Sequence, residues 1–403
     1  MVVKISHNYS TQYFQSLQRM NIFTDRLKKH WQMKYFILSL SIFLLYSCSK
    51  QEQVTDTKKI IFNEEANPDF FNTLTCKFIP LETNDSCLFN DIKEIQIVDN
   101  KIYIIDNKRS KLLVFDISGK FITQIGNLGN GPGEYLTPSN FNIDKEKQTI
   151  TIADVGQSKL LYYDLNNYQY INSQKAFYFS NCSWLPDGNI AWAKENCYDS
   201  GKRDPHYVKI TDSNLNTVNL LYPTDFKPEY LMVAGSFFYT FNQNCYLNLP
   251  FIPTIYKVTS QKITPVYELD FGKQKFASME WLKREAEKNY YGTISKTEYI
   301  STQTVKETDD YICVVYYAQG LNAYIGFYNK KNGESIKLKG SDFAKHTNLY
   351  GLSQVKDTYN NYFLFSMLAC TLKTYKSSLP ELQPIIKDIK EDDNPVICLL
   401  KFN

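Results

Sequence analysis

The segment Ile104 to Asp116, IIDNKRSKLLVFD, recurs 48 residues later as Ile152 to Asp164, IADVGQSKLLYYD; seven aligned positions are identical and the other strand positions stay apolar or aromatic. A direct repeat of about 40 to 50 residues containing several short strands is the pattern of propeller blades, each of which buries its faces only against its neighbours. The repeat restricts the chain more sharply than its length of 403 residues, which by itself permits two or three domains. Frequent Tyr (31) and Phe (26) beside ordinary Gly (16) and Pro (14) agree with many short strands that have half-buried aromatic faces.

Four strands are expected in the first blade, Ile92–Val98, Ile102–Ile105, Leu112–Asp116 and Phe121–Ile125, separated by Asp-Asn, Asp-Asn-Lys-Arg-Ser and Ser-Gly-Lys turns. Further blades are read at Phe141–Lys175, Ser183–Tyr222, Phe237–Phe271 and Val305–Leu338. The sixth has Leu352–Lys356 and Tyr362–Met367, then a helical stretch, then Pro395–Phe402. Its fourth strand is assigned to Leu74–Leu81, so that the two termini close the ring and leave no open edge. A seventh blade would have to lie in Lys273–Gln303, which instead reads as helix: Ser278 caps it, Met279, Leu282, Ala286 and Tyr290 share a face, and Gly292 ends it. The expected architecture is an all-β, six-bladed β-propeller over residues 73–403 with short helical insertions.

Ahead of the blades, Met33-Lys34 opens a positive start, and Tyr35 to Tyr46 is an unbroken run of apolar and small residues. A membrane-spanning helix needs roughly 20 such residues, so the run reads as the core of a secretory signal. Leu45-Tyr46-Ser47-Cys48 then resembles the bacterial lipoprotein cleavage box, with Cys48 as the lipid acceptor. The chain divides accordingly into an upstream extension (1–32), a signal peptide (33–47), a tether (48–72) and the propeller (73–403). The expected location is the cell envelope, on the membrane through the lipid.

The formal charge of +3 belongs largely to the leader. Residues 1–47 hold 6 of 45 basic and 1 of 42 acidic residues, which leaves 39 against 41 after cleavage, a net of −2. A near-neutral body without a Lys/Arg stripe lacks the footprint of a nucleic-acid binder, and no nucleic-acid partner is expected. After Cys48, the cysteines Cys76, Cys87, Cys182, Cys197, Cys245, Cys313, Cys370 and Cys398 form no C-x-x-C pair. Most sit in apolar runs and are read as buried free thiols; no metal and no cofactor is expected.

Several segments together resemble the lipid-anchored six-bladed propellers of Bacteroidetes that are related to NHL-repeat and Tol-type propellers. They are Phe78-Ile79-Pro80-Leu81-Glu82-Thr83, Val114 to Phe121, Gly129-Asn130-Gly131-Pro132-Gly133-Glu134-Tyr135, and Asn394-Pro395-Val396. The resemblance covers nearly all of the chain after Cys48. It implies the fold and the anchoring, and brings no catalytic residues.

Gly126, Gly129, Gly131 and Gly133 are followed by Pro132, Pro138 and a strand rather than a helix N-terminus, so they read as an inter-blade loop and not a phosphate cradle. Asp106 and Asp154, at equivalent blade positions, read as turn-formers bonding amides two residues on. After cleavage His206 and His346 remain, with no nucleophile motif beside them, and no catalytic residue is assigned. With strands lettered a to d outward from the channel, b–c and d–a connections share one face. That face collects Lys194–His206, Lys273–Gln303 and Ala369–Asn394, a concentration typical of a binding face. The leading expectation is a non-catalytic binding or scaffold module for a peptide, glycan or protein ligand, contacted by Arg109, Glu134, Lys202, Arg203 and His206. The alternatives are an envelope hydrolase or lyase with a channel-centred site and a structural subunit of an envelope complex.

Overall fold

The computed structural model describes residues 57–63, 68–106, 108, 110–193, 198–199, 202–203, 206–223, 238–278, 280–281, 284–285, 296–352, 354–375 and 377–403. Six sheets carry the fold, each built on four antiparallel strands in a-b-c-d order, and one of them has a fifth strand at its outer edge. Blade one is Ile92–Val98, Lys101–Asp106, Leu112–Asp116 and Phe121–Ile125; blade two is Pro138–Asp144, Thr149–Asp154, Lys159–Asp164 and Tyr170–Lys175. Blade three is Asn181–Trp184, Ile190–Ala193, His206–Thr211 and Thr217–Pro223. Blade four is Phe238–Phe241, Asn244–Asn248, Thr254–Val258 and Ile263–Asp270, and blade five is Thr302–Glu307, Tyr311–Ala318, Asn322–Asn329 and Ser335–Lys339. In blade six, Asp357–Tyr359, Tyr362–Met367 and Val396–Phe402 are completed by Leu74–Pro80 from the other end of the chain. The six a strands touch one another in ring order, and the sixth touches the first.

Strand b of blade one shows why these runs are apolar at every position. Successive side chains point to opposite faces of a sheet, and in a propeller both faces are buried. Ile102 and Ile104 pack towards Leu364, Ile397 and Leu399 of blade six. Tyr103 and Ile105 pack the other way, against Ile150, Ile152 and Leu161 of blade two. The channel side poses a different demand, because the inner strands present an unpaired row of backbone groups. Side chains of neighbouring blades cover it. Lys93 Nζ and Gln96 Nε2 donate to the carbonyls of Pro138 (3.0 Å) and Phe141 (2.9 Å). Asn140 donates to Cys182, Asn248 to Gln303 at 2.7 Å, and Lys356 to Ile92 at 2.5 Å.

The closure seam assembles three of the segments that carried the family resemblance. Glu82 donates its N–H to Gly119 O at 2.8 Å and accepts Phe121 N at 2.8 Å on its carboxylate. Gly119 has φ +91°, and a Cβ there would lie 2.1 Å from Pro80 O, so the Ser-Gly-Lys turn requires glycine. Buried Asn394 accepts Phe89 N at 2.9 Å and donates to the carbonyls of Glu82 (2.7 Å) and Cys87 (3.0 Å).

Two elements differ from the sequence reading. The inner strand of blade six is Asp357–Tyr359, not Leu352–Lys356; Leu352 makes only an isolated bridge to Met367. Tyr359 pairs with Tyr362 across Asn360 and Asn361, both left-handed (φ 46° and 67°), as a two-residue hairpin turn demands. Within residues 48–72, expected as tether, Lys58–Ile61 adds a fifth, parallel strand to the outer edge of blade four, and Pro68–Thr73 forms a 3₁₀ turn. Phe62 follows that strand into the interface between blades four and five and stacks on Phe271 (4.8 Å, 9°). A Cβ on Gly326 would lie 2.8 Å from its ring, so blade five keeps glycine opposite it. In the helical insertion after blade four, Ser278 Oγ accepts Trp281 N at 3.1 Å, as the cap reading requires, and 280–281 and 284–285 are helical. The remainder of that expected helix, with Met279, Leu282, Ala286, Tyr290 and Gly292, lies outside the described residues.

Candidate functional site

The repeated aspartates organise turns. Asp154 is fully buried, and its carboxylate accepts Leu136 N (3.0 Å), Thr137 N (2.7 Å), Gly156 N (3.0 Å) and Gln157 Nε2 (2.9 Å). Asp106 accepts Lys108 N, two residues on, at 3.2 Å and Asn90 N at 3.3 Å. The Gly-Pro-Gly-Glu-Tyr loop is likewise built for closure of the blade. Tyr135 is fully buried; its hydroxyl accepts Leu112 N at 3.0 Å and donates to Ile125 O at 2.8 Å. Glu134 turns its carboxylate back onto its own loop and accepts Gly131 N at 2.7 Å.

Of the other residues selected from sequence, Lys202 and Arg203 form one side of a two-stranded ribbon with Tyr198–Asp199, in the b–c connection of blade three, and His206 begins the following c strand. Arg109 and Cys48 lie outside the described residues. The antiparallel order within each blade places the b–c and d–a connections on a common face, but Glu134 in the d–a loop of blade one and the ribbon of blade three stand on different blades.

On that same face the structure builds a groove that the sequence did not single out. A cavity of about 690 Å³ lies between the connection from blade four to blade five and the ends of blade five's outer strands. Lys273, Lys275 and Lys339 line it beside Trp281, Tyr299 and Tyr324. Trp281 and Tyr299 meet edge to face at 4.9 Å, and Tyr324 stacks on Tyr316 at 5.2 Å. Lys337 lies in the floor, its ammonium donating to Phe271 O and to Gln274 Oε1. Glu298 is the only carboxylate among the described lining residues.

A second cavity of about 580 Å³ shares Tyr324 and Lys339 with the first. It runs beside helix α1 (Gly340–Thr347) towards helix α2 (Ala369–Thr374). Tyr350 and Tyr375 stack there in near-parallel planes (5.4 Å, 6°), with Tyr375 half exposed. Two of the connections that supply these residues, those within 273–303 and 369–394, are insertions expected from sequence, but their meeting beside blade five is not legible in either alone.

The channel holds a third cavity, of about 320 Å³, lined by all six inner strands. Its charged lining residues are Glu94, Lys306 and Asp357. Lys306 Nζ lies 3.4 Å from Asp357 Oδ1. Burial, reinforced by Asp357 and opposed by Lys306, pushes the Glu94 carboxyl up to about 7, and burial also raises Asp357. None of these three residues is among those selected from sequence. The signal was present: Glu94 and Gln96 alternate with Ile95 and Ile97 on a strand that faces the channel. Among the described residues no group of three or more His, Cys, Asp and Glu is placed to hold a metal ion.

The described cysteines after Cys48 are all free. Cys87, Cys182, Cys245, Cys313 and Cys398 are buried, Cys76 is half-buried and Cys370 exposed; Cys197 lies outside the described residues. Burial raises the buried thiols, Cys245 to about 12 and Cys313 well above the usual range, which favours packing over nucleophilic chemistry.

Six four-stranded sheets in a closed ring, an axial polar cavity and one built-up face define a six-bladed β-propeller. The chain belongs to the DUF5128 family, whose model, described as a 6-bladed beta-propeller, matches residues 49–366. It is similar to the crystal structure of a Bacteroides fragilis protein described as exported, with 28% identity over 86% of this chain and 100% of that one, at a TM-score of 0.81. A DUF4221 family member from Bacteroides vulgatus shares the fold at 14% identity, covering 82% of this chain and 98% of that one, with a TM-score of 0.54. No curated protein matches the chain.

Proposed function

We propose that this protein is an exported, lipid-anchored, non-catalytic binding module that holds an acidic glycan on the insertion-bearing face of its propeller. The observation that carries this reading is the groove of about 690 Å³ in which three exposed or rim lysines stand beside three aromatic rings. Sugar rings stack on aromatic faces, and uronate or sulfate groups pair with ammonium heads. The adjoining cavity with Tyr350 and Tyr375 lengthens the surface to the span of an oligomer. Lys202, Arg203 and His206, in and after the b–c connection of blade three, and Arg109, by its sequence position, are carried as further contacts, while Glu134 shapes its own loop after blade one.

Polygalacturonate serves as an acidic probe and dextran as a neutral one. The double variant Lys273→Glu/Lys275→Glu is expected to weaken polygalacturonate binding at least tenfold by calorimetry, since each reversed contact is worth on the order of 1 kcal/mol in water. Its thermal stability should stay within about 0.5 kcal/mol of the parent, because both side chains are exposed loop residues. Substitutions at Ser118 or Asn332, in turns of the opposite face, should leave binding intact. Equal losses from both faces, or equal binding of dextran, would refute the groove reading, and turnover of the glycan would favour a hydrolase or lyase instead.

The signal from Met33 to Cys48 and the exported Bacteroides fragilis neighbour support an envelope location. Cys48→Ala is expected to move the protein from the membrane fraction to the soluble envelope fraction. Retention on the membrane through a high-salt wash would remove the lipid anchor from the proposal.

A further inference from the structure

We propose that the axial channel is a second binding site, selective for a small organic ammonium ion, with Glu94 as the residue that receives its charge. The site is separate from the face groove and independent of what that groove binds. Three observations meet here. The cavity of about 320 Å³ is enclosed by the inner strands of all six blades and is large enough for a ligand of a few heavy atoms. Glu94 lines it, and no hydrogen bond or ion pair to its carboxylate forms with any described residue, whereas Asp357 shares Lys306. Among the lining residues two carboxylates therefore stand against one ammonium, and Glu94 is the one that no cation contacts directly, so a further cation in the cavity would find an open partner.

The other cations that act on Glu94, Lys93 and Lys356, are each held by different acceptors, and neither makes a hydrogen bond or ion pair with its carboxylate. Lys93 donates to Pro138 O, and Lys356 donates to Ile92 O and pairs with Asp91 at 3.8 Å. Burial lowers Lys356, opposed by Asp91 and then by Glu94. Cys182, across the channel, stays a thiol because burial raises it. In the absence of a ligand a proton compensates Glu94, whose carboxyl titrates near 7. An ammonium ion replaces that proton: it donates to the carboxylate, and Trp184 in the same wall supplies aromatic surface near the attached carbon chain. An inorganic divalent ion is disfavoured because too few ligating groups converge.

The test uses the full-length mature protein with n-butylammonium as the probe, followed by calorimetry and NMR, with potassium and calcium as comparators. Binding competes with one proton on a group near 7, so affinity should be about tenfold weaker at pH 6 than at pH 8, with proton release near neutrality. Glu94→Gln should abolish binding while the protein melts at or above the parent temperature, because a desolvated charge has been removed. Lys306→Met should act in the opposite sense and tighten binding, since it deletes the cavity's competing cation. The proposal is overturned if the parent shows no binding at about 10 mM probe and pH 8. It is equally overturned if Glu94→Gln retains the parent affinity, or if potassium or calcium binds as tightly as the amine.

Discussion

Deleting the nine residues Pro395–Asn403 is expected to abolish the cooperative melt of the entire propeller. Val396–Phe402 sits in the middle of blade six, paired on one side with Phe363–Met367 and on the other with Leu74–Pro80. Val396, Ile397, Leu400 and Phe402 are buried, and at about 1.5–3 kcal/mol per side chain they represent roughly 6–12 kcal/mol. Total stabilities of domains are about 5–15 kcal/mol, so the loss is of the same size as the whole. The deletion also frees the N-terminal strand and bares two edges in a ring that otherwise has none at this seam. Leu400→Ala is the graded control: it keeps the strand and should lower stability by about 2–5 kcal/mol. Circular dichroism on both variants checks this, and an unchanged cooperative melt of the deletion would contradict closure by the two termini.

That closure is legible in the sequence because the chain leaves an unpaired sheet at one end and a spare strand at the other. Blade one was readable residue by residue, since apolar runs of both-face burial are punctuated by Asp, Asn and Gly turns. The inner strand of blade six was misplaced for an instructive reason. Leu352–Lys356 has the better apolar content, yet Asn360-Asn361 is the stronger signal, because paired left-handed residues fix a hairpin whatever flanks them. Lys58–Ile61 escaped notice because parallel pairing to a strand about 200 positions away leaves no turn signal nearby. Only the alternation of buried Ile60 and Phe62 with exposed Lys59 and Ile61 betrays it.

The candidate sites were less legible than the fold, and the cause is geometric. Strand alternation identifies the face on which insertions gather, but not which insertions touch. Lys273, Trp281 and Tyr299 are spread along the connection from blade four to blade five and Tyr324 stands on the third strand of blade five, and nothing in their spacing announces a groove. Glu134 illustrates the converse error. A lone acidic residue in a conspicuous glycine loop looks available to a ligand, whereas the glycines leave room for its carboxylate to fold back: a Cβ on Gly129 would lie 2.1 Å from Glu134 Oε2.

Replacing Glu307 by Ala is expected to destabilise the protein by about 3–5 kcal/mol, the characteristic result of breaking a buried ion pair from one side. Glu307 ends the inner strand of blade five, towards the face opposite the groove, and is 2% exposed. Its carboxylate pairs with Lys330 at 2.6 Å and accepts the hydroxyls of Tyr239 (3.2 Å) and Tyr267 (2.9 Å) from blade four. Lys330 also donates to Thr308 O and lies 3.9 Å from the Phe241 ring centroid, so the cluster ties two blades at their interface. Truncation strands one ammonium and two hydroxyls together, whereas Lys330→Met strands only the carboxylate, which keeps both tyrosine donors; the second loss should be the smaller. Replacing both partners, Glu307→Leu with Lys330→Met, should recover part of the loss, because burying apolar groups of similar size avoids desolvating charge. The cluster also sets an alkaline limit. Burial, and after it the Glu307 charge, raises Tyr239 far above its ordinary value, so its contribution is complete below about pH 10, where the unfolded phenol ionises, and diminishes as pH rises beyond that. Denaturant titrations of the three variants at neutral pH, repeated for the parent above about pH 10, provide the check. Equal losses for Glu307→Ala and Lys330→Met would show that the tyrosine hydroxyls contribute nothing to holding the carboxylate.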